Sequence, residues 1–127
     1  MRGRILVVDD EEDFCWLLTQ RLTREGFKVA AATSGRKALA LVEREPPDLI
    51  ILDLAMPGMD GLETLRRIRE RGVTAKAVVL TSYGTAQRAR EAMALGVSEF
   101  LSKPFDLDRL LRIVTPEVEG GTRRLAG

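Results

Sequence analysis

Short apolar runs alternate with longer segments of helical period along this chain, five times over. Ile5-Leu6-Val7-Val8, Leu49-Ile50-Ile51-Leu52 and Ala77-Val78-Val79-Leu80 have no polar interruption, as expected of parallel strands covered on both faces. With two weaker runs they predict strands over 4–9, 27–31, 48–53, 76–81 and 98–102. The segments between predict helices over 11–25, 35–45, 61–71, 85–95 and 106–114. Such alternation is the pattern of βα units wound around a parallel sheet.

Punctuation residues agree with these joints. Gly26 and Gly96 follow helical runs, where a left-handed cap residue is wanted. Ser34-Gly35 and Asp60-Gly61 open helices with good capping residues, and Pro57-Gly58 marks a turn. Pro116 predicts that the fifth helix stops near Val114, because proline disfavours helix in the residue before it. Residues 1–115 thus read as one domain. Residues 116–127, aperiodic and carrying Gly120-Gly121, read as a flexible tail or the stump of a linker.

The first helix carries a further expectation. Phe14, Leu17, Leu18 and Leu22 share an apolar face, and Trp16 points nearly opposite it, with Cys15 on the flank. Trp16 is therefore predicted to be exposed, a candidate contact for a partner or a second copy of the chain. Arg88, Arg90, Arg109 and Arg112 fall on the polar sides of helices four and five and read first as a solvated surface.

Composition narrows the class. With 127 residues, 45% hydrophobic and 31% charged, the chain suits one ordinary globular domain with a real core. Apolar runs are strand-sized, too short to cross a bilayer, and the start lacks a signal peptide's apolar stretch. Cys15 is the only cysteine, so the reading is a cytoplasmic protein without an internal disulfide. A net charge of +1 gives no electrostatic case for nucleic acid. There is no histidine, so chemistry that needs imidazole must take it from a partner.

The strand ends concentrate the chemistry. Five acids in a row, Asp9 to Asp13, follow the first apolar run; Asp53 ends the third, Thr81 the fourth, and Lys103 follows the fifth. Open α/β sheets bind ligands at that edge. If the strand order is 2-1-3-4-5, one of two common doubly wound orders, Asp9, Asp10 and Asp53 face one crevice. Glu11, Glu12 and Asp13 read as first-turn acids favoured by the helix dipole. Close carboxylates repel unless a cation joins them, and hard oxygen ligands that only partly surround an ion suit Mg²⁺. Asp53 is then either a ligand or a nucleophile that attacks phosphorus, with Lys103 balancing charge and Thr81 donating a hydrogen bond.

The motifs Val7-Val8-Asp9-Asp10-Glu11, Asp53-Leu54-Ala55-Met56-Pro57-Gly58-Met59-Asp60-Gly61, Leu80-Thr81-Ser82 and Lys103-Pro104-Phe105 resemble those of response-regulator receiver domains of two-component phosphorelay signalling, the CheY-like class. The likeness covers roughly residues 3–114, with every motif in order. It implies a flavodoxin-like (βα)₅ three-layer sandwich with a parallel sheet of order 2-1-3-4-5. It implies that Asp53 accepts phosphate from a histidine kinase or histidine phosphotransfer protein. Asp10, Asp53 and the Ala55 backbone carbonyl would ligate Mg²⁺, Asp9 would act through water, and Lys103 would contact the phosphoryl group. The bond before Pro104 would be cis. Thr81 and Phe100 would be the switch pair, changing a surface of helix 4, strand 5 and helix 5 that acts on an output domain or downstream protein. Ala55 and Tyr83 occupy positions that tune phosphoryl lifetime in that family. Phe100 departs from the common Tyr, so a phenolic hydroxyl is absent there.

Two rivals remain at this level. A Mg²⁺-dependent phosphatase working through an aspartyl-phosphate needs a second acid two residues after its nucleophile, and that position is Ala55. A phosphorylation-independent adaptor would have no use for the intact acid, Thr81 and Lys103 set.

Overall fold

The computed structural model describes residues 2–81, 86–102 and 106–119, the last four of these in backbone only. Ten elements alternate: β1 (Arg4–Val8), α1 (Glu12–Arg24), β2 (Lys28–Ala32), α2 (Gly35–Arg44), β3 (Leu49–Asp53), α3 (Gly61–Glu70), β4 (Lys76–Thr81), α4 (Ala86–Ala94), β5 (Val97–Ser102) and α5 (Leu107–Glu119). All strand pairs are parallel, and the sheet order is β2-β1-β3-β4-β5. Apart from the end of α5, boundaries fall within one residue of those predicted.

Strand alternation divides the core in two. Leu6, Val8, Ile50, Leu52, Ala77 and Val79 face α2, α3 and α4, meeting Val42, Leu65, Ile68 and Ala92. Ile5, Val7, Leu49, Ile51, Val78 and Leu80 face α1 and α5, meeting Leu18, Leu22, Leu110 and Val114. β3, in the middle of the sheet, is buried along its whole length, which is why its sequence is continuously apolar until Asp53. Burial on both faces stabilises the central strands and leaves chemistry only at their ends.

Caps form where the sequence places them. Ser34 Oγ accepts from the Lys37 N–H at 3.2 Å, and Asp60 Oδ1 from the Glu63 N–H at 2.9 Å. Gly26 (φ 100°) and Gly96 (φ 84°) adopt the left-handed backbone after α1 and α4, a region costly to residues with a Cβ. No helix among the described residues is long and apolar enough to cross a membrane.

Two expectations are corrected. α5 does not stop near Val114 but runs through Pro116 to Glu119. Proline removes one backbone donor, the partner of the Arg112 carbonyl. Arg112 is exposed, so water can reach that carbonyl, and Thr115 Oγ1 donates to the Leu111 carbonyl at 2.9 Å within the same turn. On α1, the buried stripe is Cys15, Leu18 and Leu22, with Phe14 half-buried. Leu17 is instead 48% exposed beside Trp16, which is 65% exposed as predicted. Phe14, Leu18 and Leu22 can be extended on either side, towards Leu17 or towards Cys15. Close approach of α1 to the loop after β1 selects the smaller residue.

Candidate functional site

The acids gather at the C-terminal edge of the sheet. Val8 lies beside Leu52 in the β1–β3 register, so the next residues, Asp9 and Asp53, follow alongside. The Asp9 N–H extends the ladder on the other side by donating to the Ala32 carbonyl at 3.1 Å. Carboxylate oxygens of Asp9, Asp10 and Asp53 all lie within 4.8 Å of one another. Asp9 and Asp53 are buried, at 1% and 6% exposure, while Asp10 is exposed. The three predicted acids thus form one cluster, with one side open to solvent.

Backbone donors aim the two buried carboxylates. Asp9 Oδ1 accepts from the Glu11 N–H at 2.9 Å, and Asp53 Oδ1 from the Ala55 N–H at 3.0 Å. In each case the loop after the strand folds back on the acid that ends it, which fixes the second oxygen as well. Gly61 tightens the loop after β3: its N–H donates to the Leu54 carbonyl at 2.9 Å. A Cβ at Gly61 would overlap the Asp53 carbonyl oxygen.

The other predicted residues are placed unevenly. Thr81 is buried at the end of β4, one position beyond the Leu80 that pairs with Asp53. Phe100 on β5 pairs with Val79 and is half-buried against the core under α4. Ala55 is exposed beside Asp53. Lys103, Tyr83 and Pro104, with the cis bond expected before it, lie outside the described residues. Of the arginines, Arg90, Arg109 and Arg112 are exposed, whereas Arg88 lies 3.4 Å from Asp60 Oδ2 and ties α4 to the start of α3. Met56 is core, Met59 half-buried against it, and Met93 exposed.

Cys15 supports the site in a way the sequence reading missed. Its Sγ donates to the Asp9 carbonyl at 3.1 Å, pinning the acidic loop to α1. The three- and four-residue spacing of Cys15, Leu18 and Leu22 was the available signal. The sequence marks Gly61 only as part of a helix opening, not as a point of contact with Asp53.

Electrostatics decides what this cluster can hold. Two ionised carboxylates at 4.8 Å repel by at least about 3 kcal/mol at an effective dielectric near 20. A divalent cation relieves that repulsion. All-oxygen donors, few in number and open on one side, match Mg²⁺, which keeps several waters, better than the larger cage of Ca²⁺ or the nitrogen and sulfur ligands of Zn²⁺. The donor set therefore fits a hard, partly hydrated divalent ion.

Comparison with known proteins agrees with this fold. The family described as the response regulator receiver domain matches residues 5–115. The sporulation initiation phosphotransferase F of Bacillus subtilis is 36% identical over 110 residues, covering 87% of this chain and 89% of that protein. The regulatory protein AtoC of Escherichia coli is 37% identical over 112 residues, but the chain spans only 24% of its length. Among solved structures, the signal receiver domain of a LuxO-type repressor protein from Vibrio parahaemolyticus has a TM-score of 0.87 at 30% identity, covering 98% of this chain and 95% of that one.

Proposed function

Because this chain belongs to the response regulator receiver family, we propose that it is a phosphorylation-dependent switch whose acceptor is Asp53. The observation that carries the reading is the convergence of Asp9, Asp10 and Asp53 at the ends of β1 and β3. Asp53 attacks phosphorus while the bond to the donor breaks. The donor is a phosphohistidine of a partner kinase or phosphotransfer protein, since this chain holds no histidine of its own. The imidazole leaves with the partner, and an acyl phosphate remains on Asp53.

Asp10, Asp53 and the Ala55 carbonyl would hold Mg²⁺, with Asp9 acting through water. Mg²⁺, when bound, supplies positive charge against the phosphoryl oxygens. The chain's own residues do the rest. The Ala55 N–H on Asp53 Oδ1 orients the carboxylate for in-line attack. Asp9 is held ready by Glu11 and Cys15. Thr81 is drawn towards the phosphoryl group and donates a hydrogen bond to one oxygen, while Lys103 pairs with another. Movement of Thr81 frees space for Phe100 to turn inward, which alters the surface of α4, β5 and α5 read by an output domain or downstream protein.

The small Ala55 leaves the acyl phosphate open to water. Its spontaneous loss is modulated by Tyr83, so half-lives of phosphorylated wild type and Tyr83→Ala differ; identical half-lives remove that role. Ala55 also disfavours turnover of external phosphate esters, which needs an acid at that position. Trp16 and Leu17, exposed side by side, offer a contact for the phosphodonor protein or a second copy. Trp16→Ala should slow phosphotransfer from a protein donor, or weaken self-association, without slowing uptake from a small donor.

The deciding experiment incubates the protein with Mg²⁺ and acetyl phosphate and follows intact mass. One added phosphate in wild type and none in Asp53→Ala is the expected result. Equal uptake by both, or none by either with a full Mg²⁺ titration, ends the reading.

A further inference from the structure

At the opposite rim of the sheet from the acids, a cavity of about 300 Å³ opens beside β2. The starts of β1 and β2, the last turn of α2 and Pro47 form its walls. Arg4 and Lys28 are register partners on adjacent parallel strands, so their side chains leave the sheet on the same face. Leu6 and Ala30, two residues further along each strand, pack in the core under α2, α3 and α4. Alternation therefore puts Arg4 and Lys28 on that face, where Arg44 joins them from the end of α2. Ala30, Leu41 and Pro47 add apolar wall.

Arg4 Nε is buried without a hydrogen-bond partner, the one such side-chain atom among the described residues. A buried donor left without an acceptor is costly, so Arg4 gains by turning its guanidinium to an acceptor in the cavity. Two carboxylates stand close by: Glu45, itself on the cavity wall, pairs with Lys28 at 3.4 Å, and Asp48 Oδ2 accepts the Arg4 backbone N–H at 2.8 Å. Three cations against these two carboxylates leave a small positive excess, and the C-terminal carbonyls of α2 reduce it further. That balance favours a monoanion over a dianion.

We propose that this cavity binds a small carboxylic acid, its carboxylate received by Arg4 and Arg44 and its hydrocarbon body laid along Ala30, Leu41 and Pro47. A guanidinium fork matches a carboxylate in plane and charge. The volume stands at the lower end of the about 300–1,000 Å³ typical of ligand sites, which suits a molecule the size of benzoate or octanoate. Five residue steps along β1, about 17 Å at ~3.3 Å each, separate Arg4 from Asp9, so the site does not depend on the phosphoacceptor reading.

The test titrates the isotope-labelled full chain with sodium octanoate, sodium benzoate and inorganic phosphate, following arginine Nε–H and Leu41 methyl resonances. Saturable shifts at Arg4 and Leu41 are expected with a carboxylate, at concentrations up to about 10 mM, and smaller unsaturated ones with phosphate. Arg44→Ala should weaken binding by about fivefold and Arg44→Glu by more, since a charge-assisted pair is lost and then reversed. Leu41→Trp should block the cavity. Arg44 is exposed, so its variants fold. No saturable shift with either carboxylate, a tighter response to phosphate, or carboxylate binding unchanged in both Arg44 variants overturns the proposal.

Discussion

Gly61 donates its backbone N–H to the Leu54 carbonyl at 2.9 Å, and its α-carbon stands where a side chain would strike the Asp53 carbonyl. The first turn of α3 is thereby seated on the last residue of β3. The loop that carries Ala55 is closed at its base, and Asp60, the residue before Gly61, caps α3 and also meets Arg88 of α4. One glycine thus joins β3 to the helix that follows it.

Gly61→Ala should therefore cost more than an ordinary glycine replacement. A Cβ there lies 2.6 Å from Leu54 Cα, so backbone must move, at about 1–3 kcal/mol of overpacking. Gly58 is the control: its φ is +74° but nothing lies within 4 Å of an added Cβ, leaving only the left-handed penalty of about 1–2 kcal/mol. Urea unfolding should rank Gly61→Ala as the more damaging, and only that variant should slow phosphate uptake at Asp53. Equal effects on uptake would mean that loop closure does not position Asp53.

Mutual repulsion in the acidic cluster gives opposite signs with and without a cation. In metal-free buffer, Asp10→Asn should raise the melting temperature by removing one charge from a group whose oxygens lie within 4.8 Å. With Mg²⁺ added the wild type should gain more, since a ligand at a hundredfold its Kd stabilises by about 2.7 kcal/mol. Thermal melts across a Mg²⁺ series should show the two curves crossing. Parallel curves would show that Asp10 is not a ligand.

The two sides of α1 should respond very differently to truncation. Leu22 is fully buried under the sheet, so Leu22→Ala should destabilise by about 2–5 kcal/mol through the cavity it leaves. Trp16→Ala should change stability by no more than about 0.5 kcal/mol, as exposed positions do. Denaturant midpoints measure both; a large loss at Trp16 would mean that its ring is held inside the monomer.

Glu63 offers a check on surface electrostatics. The hydrogen bond from Arg67 Nε at 2.9 Å, then that from Arg66 Nη1 at 2.7 Å, hold its carboxyl below the ordinary glutamate value. A depressed folded-state value means that the contribution to stability is present above the unfolded pKa and is lost as pH falls through the folded one. The side chains are well exposed, so the contribution is small. An NMR titration should place the Glu63 midpoint below that of a free glutamate, and Arg67→Gln should raise it. No movement in that variant would assign the shift elsewhere.

Much of the site was legible before any coordinates, for a definite reason. β1, β3 and β4 are covered on both faces, so their residues must be apolar until the chain leaves the sheet. Asp9, Asp53 and Thr81 stand at those exits and could be recognised as edge groups. Cys15 was not legible as a partner of the Asp9 carbonyl, because the helical stripe around Leu18 and Leu22 accommodates either Cys15 or Leu17. Gly61 was not, because a close approach leaves no pattern along the chain.

By itself, then, the order of apolar and polar residues determined ten alternating elements, the caps at Ser34 and Asp60, the exposure of Trp16, and which residues end the strands. Those are consequences of burial and local hydrogen bonding, which act over a few neighbouring residues. Tertiary structure decided the order β2-β1-β3-β4-β5 that sets Asp9 beside Asp53, the rotation of α1, the passage of α5 through Pro116, and the cationic cavity beneath α2. Each of these depends on contact or solvent access between segments that are distant in sequence, which packing alone brings together.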